Sequence, residues 1–412
     1  MRLALRALPR PTRPLAFGEF VALMAMMFST IAFSIDAMLP ALSLIGQELS
    51  PGEIGKAQMV VTAFVLGMGS GTLICGPLSD TLGRKPVIFW GMTLYALAAL
   101  VAAVAQSIEV LLAARVVQGL GAAAPRVVAL AMIRDQYQGR MMARVTSIVM
   151  TLFILVPAVA PAIGAGLMWL IDWRAIFGAF VLFGAVVALW LALRQPETLA
   201  PDARRPLRPR ALWSALREVL GHRSVLVYTA ALTCAFGPMF GWLATVPLLF
   251  DDAFGRGDSF PFWFAVVALI AGGSNILNAR LVMRLGMKRL ATAAFTVQVS
   301  ASALVLGLLQ VDLPAPWDFT VFFCYMAAMF FSLGLTFGNL NALALLPLGH
   351  IAGTGAAVIG ATYTTLSVLI AAPLSLAYDG TAVPLVAGTM LSIGCALALM
   401  LYARRLNDDD AG

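Results

Sequence analysis

Charge is the scarcest commodity in this chain. Asp, Glu, Lys and Arg make up 11% of its 412 residues, against roughly 25% in ordinary soluble domains. Hydrophobic residues reach 61% and the mean hydropathy is +0.92. A water-soluble fold of this length needs a charged shell, and these residues cannot cover one; lipid is the solvent that tolerates such a surface. Histidine is almost missing: His222 and His350 both lie at the ends of apolar segments, which argues against a histidine-based metal centre. The four cysteines, Cys75, Cys234, Cys324 and Cys395, fall inside apolar segments with no CxxC spacing, so they read as small buried residues rather than metal or redox ligands. With no nucleophile–base pair and no metal cluster in view, an enzyme is not expected, nor is a bound cofactor or metal. The formal charge is +7, yet the basic residues sit between apolar runs and form no groove-sized cluster with interleaved aromatics, so nucleic acid is not a partner.

What the chain has in abundance is long apolar runs. A spanning helix needs roughly 20 mostly apolar residues, and twelve segments qualify: 17–42, 58–78, 87–106, 110–133, 144–169 and 174–193, then 225–250, 260–282, 289–311, 319–346, 353–378 and 382–403. The first is too long for a signal-peptide core and reads as a retained helix. Between the sixth and seventh lies Arg194–Arg223, with Pro196, Pro201, Pro206, Pro209 and seven arginines; it reads as a linker carrying a short amphipathic helix near 211–220. The expected organisation is therefore an all-α membrane protein with a six-helix bundle over 1–193, a linker over 194–223 and a second six-helix bundle over 224–412.

The charges set the topology. With the N-terminus inside, about 22 of the 27 Lys and Arg face the cytoplasm, including Arg2, Arg6, Arg10 and Arg13, and about three face outside. The outer loops instead carry Glu48, Glu53, Asp172, Asp251, Asp252, Asp258, Asp312 and Asp318. Both termini are expected in the cytoplasm. The halves also echo one another: Leu82-Gly83-Arg84-Lys85 follows the second segment and Leu285-Gly286-Met287-Lys288 the eighth, as a duplicated six-helix unit would show.

One stretch stands out: Gly76-Pro77-Leu78-Ser79-Asp80-Thr81-Leu82-Gly83-Arg84-Lys85-Pro86. Gly76 is expected to allow close helix approach and Gly83 to take a positive φ in the turn. Asp80 is placed to pair with a cation or a helix N-terminus, and Arg84 and Lys85 hold the loop inside. The pattern resembles the signature loop of the major facilitator superfamily. Further segments narrow the resemblance: Ile35-Asp36-Ala37-Met38-Leu39-Pro40, Arg115-Val116-Val117-Gln118-Gly119-Leu120-Gly121, Ile133-Arg134-Asp135-Gln136-Tyr137, Val156-Pro157-Ala158-Val159-Ala160-Pro161-Ala162-Ile163-Gly164 and Trp173-Arg174-Ala175-Ile176-Phe177. Together they are similar to the bicyclomycin- and chloramphenicol-resistance (Bcr/CflA) group of bacterial drug–proton antiporters, closely over the first half and mainly in architecture over the second.

The resemblance implies two pseudo-symmetric six-helix bundles in a bacterial inner membrane, exporting small amphipathic drugs in exchange for protons by alternating access, as a monomer. An ionised carboxylate inside lipid costs ~2.5 kcal/mol or more, so Asp36 should face a cavity or a partner, and in the resembling family an acid at this place couples proton to drug. Arg115 lies about five residues from the outer end of its segment and Asp36 about six from the outer end of its own, so the two share a depth; snorkelling of Arg115 to the outer interface is the alternative. Pro157, Pro161 and Gly164 resemble the antiporter motif of the fifth helix, where Ala160 stands in place of the usual glycine. Phe33, Met38, Gln118, Phe240, Trp242, Asn339 and Tyr363 are candidate substrate contacts, with Phe236 and Phe337 as further apolar walls. A proton-coupled symporter or facilitator of a native metabolite shares the fold and stays open as the alternative.

Overall fold

The computed structural model describes residues 14–204, 209–311 and 314–409. The expected basic charges at Arg2, Arg6, Arg10 and Arg13, and the positions of Pro206 and Asp312, lie outside these residues. No strand occurs among the described residues, and twelve helices are long and apolar enough to cross a bilayer.

Most segments begin and end within a few residues of the apolar runs, because a spanning helix stops where chain and solvent change together. The first is interrupted. Helix α1 (Phe17–Asp36) stops at Asp36, passes through a turn and a 3-10 stretch (Leu39–Ala41), and resumes as the short α2 (Leu42–Leu49). Pro40 has no N–H to give a continuing helix, and the Ala37 and Met38 amides turn back to the Phe33 and Ile35 carbonyls instead. After a 3-10 turn (Ile54–Gln58) come α3 (Met59–Leu82), α4 (Arg84–Ala103), α5 (Ile108–Gln136), α6 (Gly139–Leu170) and α7 (Ala175–Arg194). The linker holds the amphipathic α8 (Pro209–Gly221), and the second series follows as α9 (Arg223–Leu248), α10 (Phe260–Leu285), α11 (Met287–Leu308), α12 (Trp317–Leu345), α13 (Ala352–Leu376) and α14 (Val383–Asp409).

Contacts divide the chain into two compact units. One holds the chain through Ala41 and from Ala63 into the linker; the other holds Leu42–Thr62 with everything from Pro209 on. In the first, α4 lies between α5 and α7, and α1 packs on α5, α6 and α7. Small residues let the backbones meet: a Cβ on Gly121 would come within 2.6 Å of the Gly91 carbonyl on α4. Charges are gathered at helix ends, as where Arg194 of α7 gives two 2.9 Å hydrogen bonds to the Glu19 carboxylate of α1. In the second unit, α9 packs against α12, α13 and α14, and α11 against α12 and α14, around Tyr228, Leu232, Phe295, Leu340 and Ile359. Segment 42–62 joins this unit through Gln58, whose side-chain oxygen accepts from Thr245 of α9 at 3.1 Å.

The repeated turn has the same geometry twice. Gly83 (φ 104°, ψ 162°) and Gly286 (φ 77°, ψ 157°) open α4 and α11, in a region where L side chains are strained. Large apolar side chains face outward, Trp169, Met283 and Leu369 being 85, 86 and 71% exposed. Water would not tolerate so wide an apolar surface; a bilayer matches it.

Candidate functional site

Two groups of polar residues are built into the first unit. One surrounds the end of α1. A helix leaves its last carbonyls without amide partners, and here the Met38 amide goes to Ile35 rather than Ser34. Arg115 of α5 fills the gap: its Nη2 donates to the Ser34 carbonyl at 2.9 Å and its Nη1 to Gln118 Oε1 at 2.7 Å. The guanidinium also lies 4.4 Å from the Phe64 ring centre, a favourable face for a cation. A cation at the carbonyl end of a helix has the stabilising sign. Arg115 is fully buried, so it does not snorkel. Ser34 further shares a 2.6 Å hydrogen bond with the Tyr95 hydroxyl of α4.

Asp36 closes the same helix. It is 4% exposed, and no hydrogen bond or ion pair joins its carboxyl to another described side chain. Arg115 thus comes to within two residues of Asp36 in sequence while binding the backbone beside it, not the acid. Gly164 of α6 meets the chain at the next residue: a Cβ there would fall on the Ala37 carbonyl. Helix α6 runs unbroken through Pro157 and Pro161, and its glycine brings its backbone against the end of α1.

The second group is the loop between α3 and α4. Arg84 is 4% exposed and its guanidinium makes four hydrogen bonds: Nη1 donates to Asp80 Oδ1 at 2.5 Å and Ser79 Oγ at 2.8 Å, while Nε and Nη2 fork onto the Asp135 carboxylate of α5 at 2.9 and 3.2 Å. Two-pronged pairs of this kind fix orientation as well as energy. Glu197, from the chain after α7, accepts the Arg84 and Lys85 amides at 2.9 and 3.1 Å, an anion on a helix N-terminus. Lys85 Nζ completes the clasp on the Ala192 and Gln195 carbonyls at the end of α7, at 3.2 and 2.5 Å. Gly83 needs to be glycine for its φ, and a Cβ there would also sit 2.8 Å from Glu197 Oε2 and push that carboxylate aside. Gly76 behaves otherwise than expected. A Cβ there would meet only Val127 Cγ1 at 3.8 Å, an ordinary contact, so no close helix approach depends on it; α3 approaches α5 closely at Gly67, against Val116, instead.

The remaining candidates separate. Phe33 packs on Phe180 and Phe183 of α7, with ring centres 5.4 and 5.1 Å apart, and Met38 is fully buried. In the second unit Phe236 is a hub, 5.9, 4.8 and 4.9 Å from the rings of Phe240, Phe337 and Tyr363. Asn339 of α12 donates to Asn278 Oδ1 of α10 at 2.8 Å. Trp242 is fully buried and donates to Thr389 at 2.8 Å, near the Ser302–Tyr325 pair at 2.7 Å. A cavity of about 260 Å³ in this unit is lined by Ser43, Gln47, Gly55, Leu248, Asp252, Tyr378 and Gly380. Burial and the neighbouring carboxylates of Asp252, Asp379 and Asp251 push the Tyr378 phenol well above its ordinary range. Glu197, Ser34 and Tyr95 were not singled out from the sequence. Glu197 had a signal, an acid in a stretch otherwise rich in arginine; Ser34 and Tyr95 had none. Among the described residues no three His, Cys, Asp or Glu side chains gather as a metal site would.

Twelve apolar helices with charged and polar side chains buried among them define a polytopic membrane protein. Residues 15–372 match the Major Facilitator Superfamily, and the chain belongs to that family; it is a multi-pass membrane transporter and not an enzyme. It is similar to the chloramphenicol resistance protein of Pseudomonas aeruginosa, 30% identical over 338 residues that cover 79% of this chain and 76% of that one. It is also similar to a bicyclomycin resistance protein homolog of Haemophilus influenzae, 31% identical over 269 residues, 65% of this chain and 67% of that one. The expected resistance group is thus the one its relatives are named for. A solved D-xylose–proton symporter superposes with a TM-score of 0.71 at 14% identity, over 92% of this chain and 95% of that one, and shares the expected all-α fold.

Proposed function

We propose that this transporter exports small amphipathic drugs from the cytoplasm in exchange for protons, by alternating access, with Asp36 as the proton carrier. Asp36 carries this reading: a carboxyl 4% exposed, at the carbonyl end of a helix and without a cationic partner among the described side chains. A charge with no partner in such a place is costly, and the helix end adds a field of the wrong sign for an anion. A proton removes both costs, and a drug that displaces the proton restores the demand for a counter-charge. Arg115 keeps the end of α1 in place around the acid. The relatives' names support the cargo class, and the basic loops favour a topology with both termini in the cytoplasm of a bacterial inner membrane.

The test is proteoliposome transport. Native protein should couple drug efflux to proton movement, and Asp36→Asn should still bind drug yet lose the coupling. Undiminished coupled efflux in Asp36→Asn overturns the mechanism. Concentrative import of a metabolite without drug export would favour the symporter reading.

A further inference from the structure

Helix α8 carries a surface that no described part of the protein covers. Leu216 and Val219 pack into the core of the second unit beside α9 and α13. Trp213 and Arg217, one helical turn apart and so neighbours on the surface, point elsewhere: Trp213 is 62% exposed and Arg217 is exposed as well. The helix leads within two residues into α9, a membrane span, so this surface lies where the chain enters the bilayer.

Basic residues predominate at that end of the unit, the last turn of α14 with Asp408 and Asp409 being the acidic exception beside Glu218. Counting spans, the α10–α11 turn and the α12–α13 connection return to the end that holds α8, and the 2.6 Å contact between Glu218 of α8 and His350 joins them directly. Arg217, Arg280, Arg284, Arg289 and Arg404 are exposed there, and none pairs with an acid among the described residues. Glu218, the acid of α8, is engaged by His350. At the opposite end stand Asp251, Asp252, Asp258, Asp318 and Asp379. Exposed tryptophan beside unpaired arginine, on a helix whose other face is anchored, matches the boundary between acyl chains and phosphate.

We infer that α8 docks in the headgroup layer of the membrane, with Trp213 at the acyl boundary and Arg217 on the phosphate of an anionic lipid. This inference stands apart from the drug-export reading, since it needs only that the protein span a membrane. An arginine near an anionic surface contributes about 1 kcal/mol, or about fivefold in affinity.

Full-length protein in micelles is titrated with phosphatidylglycerol or phosphatidylcholine, and the thermal-unfolding midpoint gives an apparent affinity for each. Native protein should prefer phosphatidylglycerol. Arg217→Gln should reduce that preference about fivefold, Arg217→Lys should retain most of it, and Trp213→Ala should weaken both lipids alike. Soluble glycerol phosphate should give no shift. Absence of a preference in native protein, a preference untouched by Arg217→Gln, or an equal shift with glycerol phosphate overturns the assignment. A photoactivatable phosphatidylglycerol provides a measurement on native protein alone: it should label the peptide containing 209–221, and labelling confined to other segments overturns the assignment too.

Discussion

Arg115 on α5 donates to the Ser34 carbonyl of α1 at 2.9 Å, and so caps the helix that ends in Asp36. The arginine binds the frame that holds the acid and leaves the carboxyl itself free of it. The arginine and the acid therefore have different surroundings, although the carbonyl that Arg115 binds lies two residues before Asp36.

Replacing Arg115 by alanine leaves the Ser34 carbonyl and Gln118 Oε1 without this buried donor. Removing one member of a buried charged network typically costs about 3 kcal/mol or more, so Arg115→Ala should lower the thermal-unfolding midpoint in detergent by several degrees. Arg115→Lys can serve one acceptor at a time and should fall between. A native midpoint in Arg115→Ala would show that the cap contributes nothing.

Gly164 and Gly166 make a matched pair on α6. A Cβ at Gly164 would strike the Ala37 carbonyl, whereas nothing lies within 4 Å of one at Gly166. Overpacking against backbone costs about 1–3 kcal/mol, and here it also displaces the residue after Asp36. Gly164→Ala should lose both stability and transport; Gly166→Ala should stay within about 0.5 kcal/mol of native. Equal behaviour of the two variants would contradict the contact.

Glu197 is expected to act on α4 as a detached N-cap. Glu197→Ala uncovers the Arg84 and Lys85 amides and should cost about 1 kcal/mol, read from unfolding midpoints. Gly83→Ala should cost more, from the φ of 104° and the 2.8 Å approach to Glu197 Oε2. In the double variant the second part of that cost vanishes, so the two losses should sum to more than the double mutant shows. Simple additivity would mean that Gly83 and Glu197 do not meet.

The Ser302–Tyr325 pair offers a control in the second unit. Tyr325→Phe removes a 2.7 Å hydrogen bond and should cost about 1 kcal/mol while, under the proposed drug–proton exchange, leaving the number of protons per drug unchanged. A changed stoichiometry would move the coupling site away from Asp36.

Much of this protein follows from composition and local chemistry. Stretches of twenty apolar residues have nowhere to go but a bilayer, and inside it a lone segment must be a helix; the twelve spans and the linker helix follow at once. The turn glycines at 83 and 286 are equally local, because only glycine enters that φ cheaply. Asp36 and Arg115 were visible as costly residues in an apolar background. Their partners were not. Ser34 and Arg115 are 81 residues apart, and Glu197 lies 113 residues from Arg84. Helices apolar on every side give little periodic signal of which face turns inward, so rotation and depth, and with them the choice between an ion pair and a helix cap, were decided only when α1, α5 and α6 packed together. Pro40 was plain to see, but that the chain beyond it leaves α1 and joins the second unit through Gln58 and Thr245 depends on which surfaces fit, and that is a property of the tertiary structure alone.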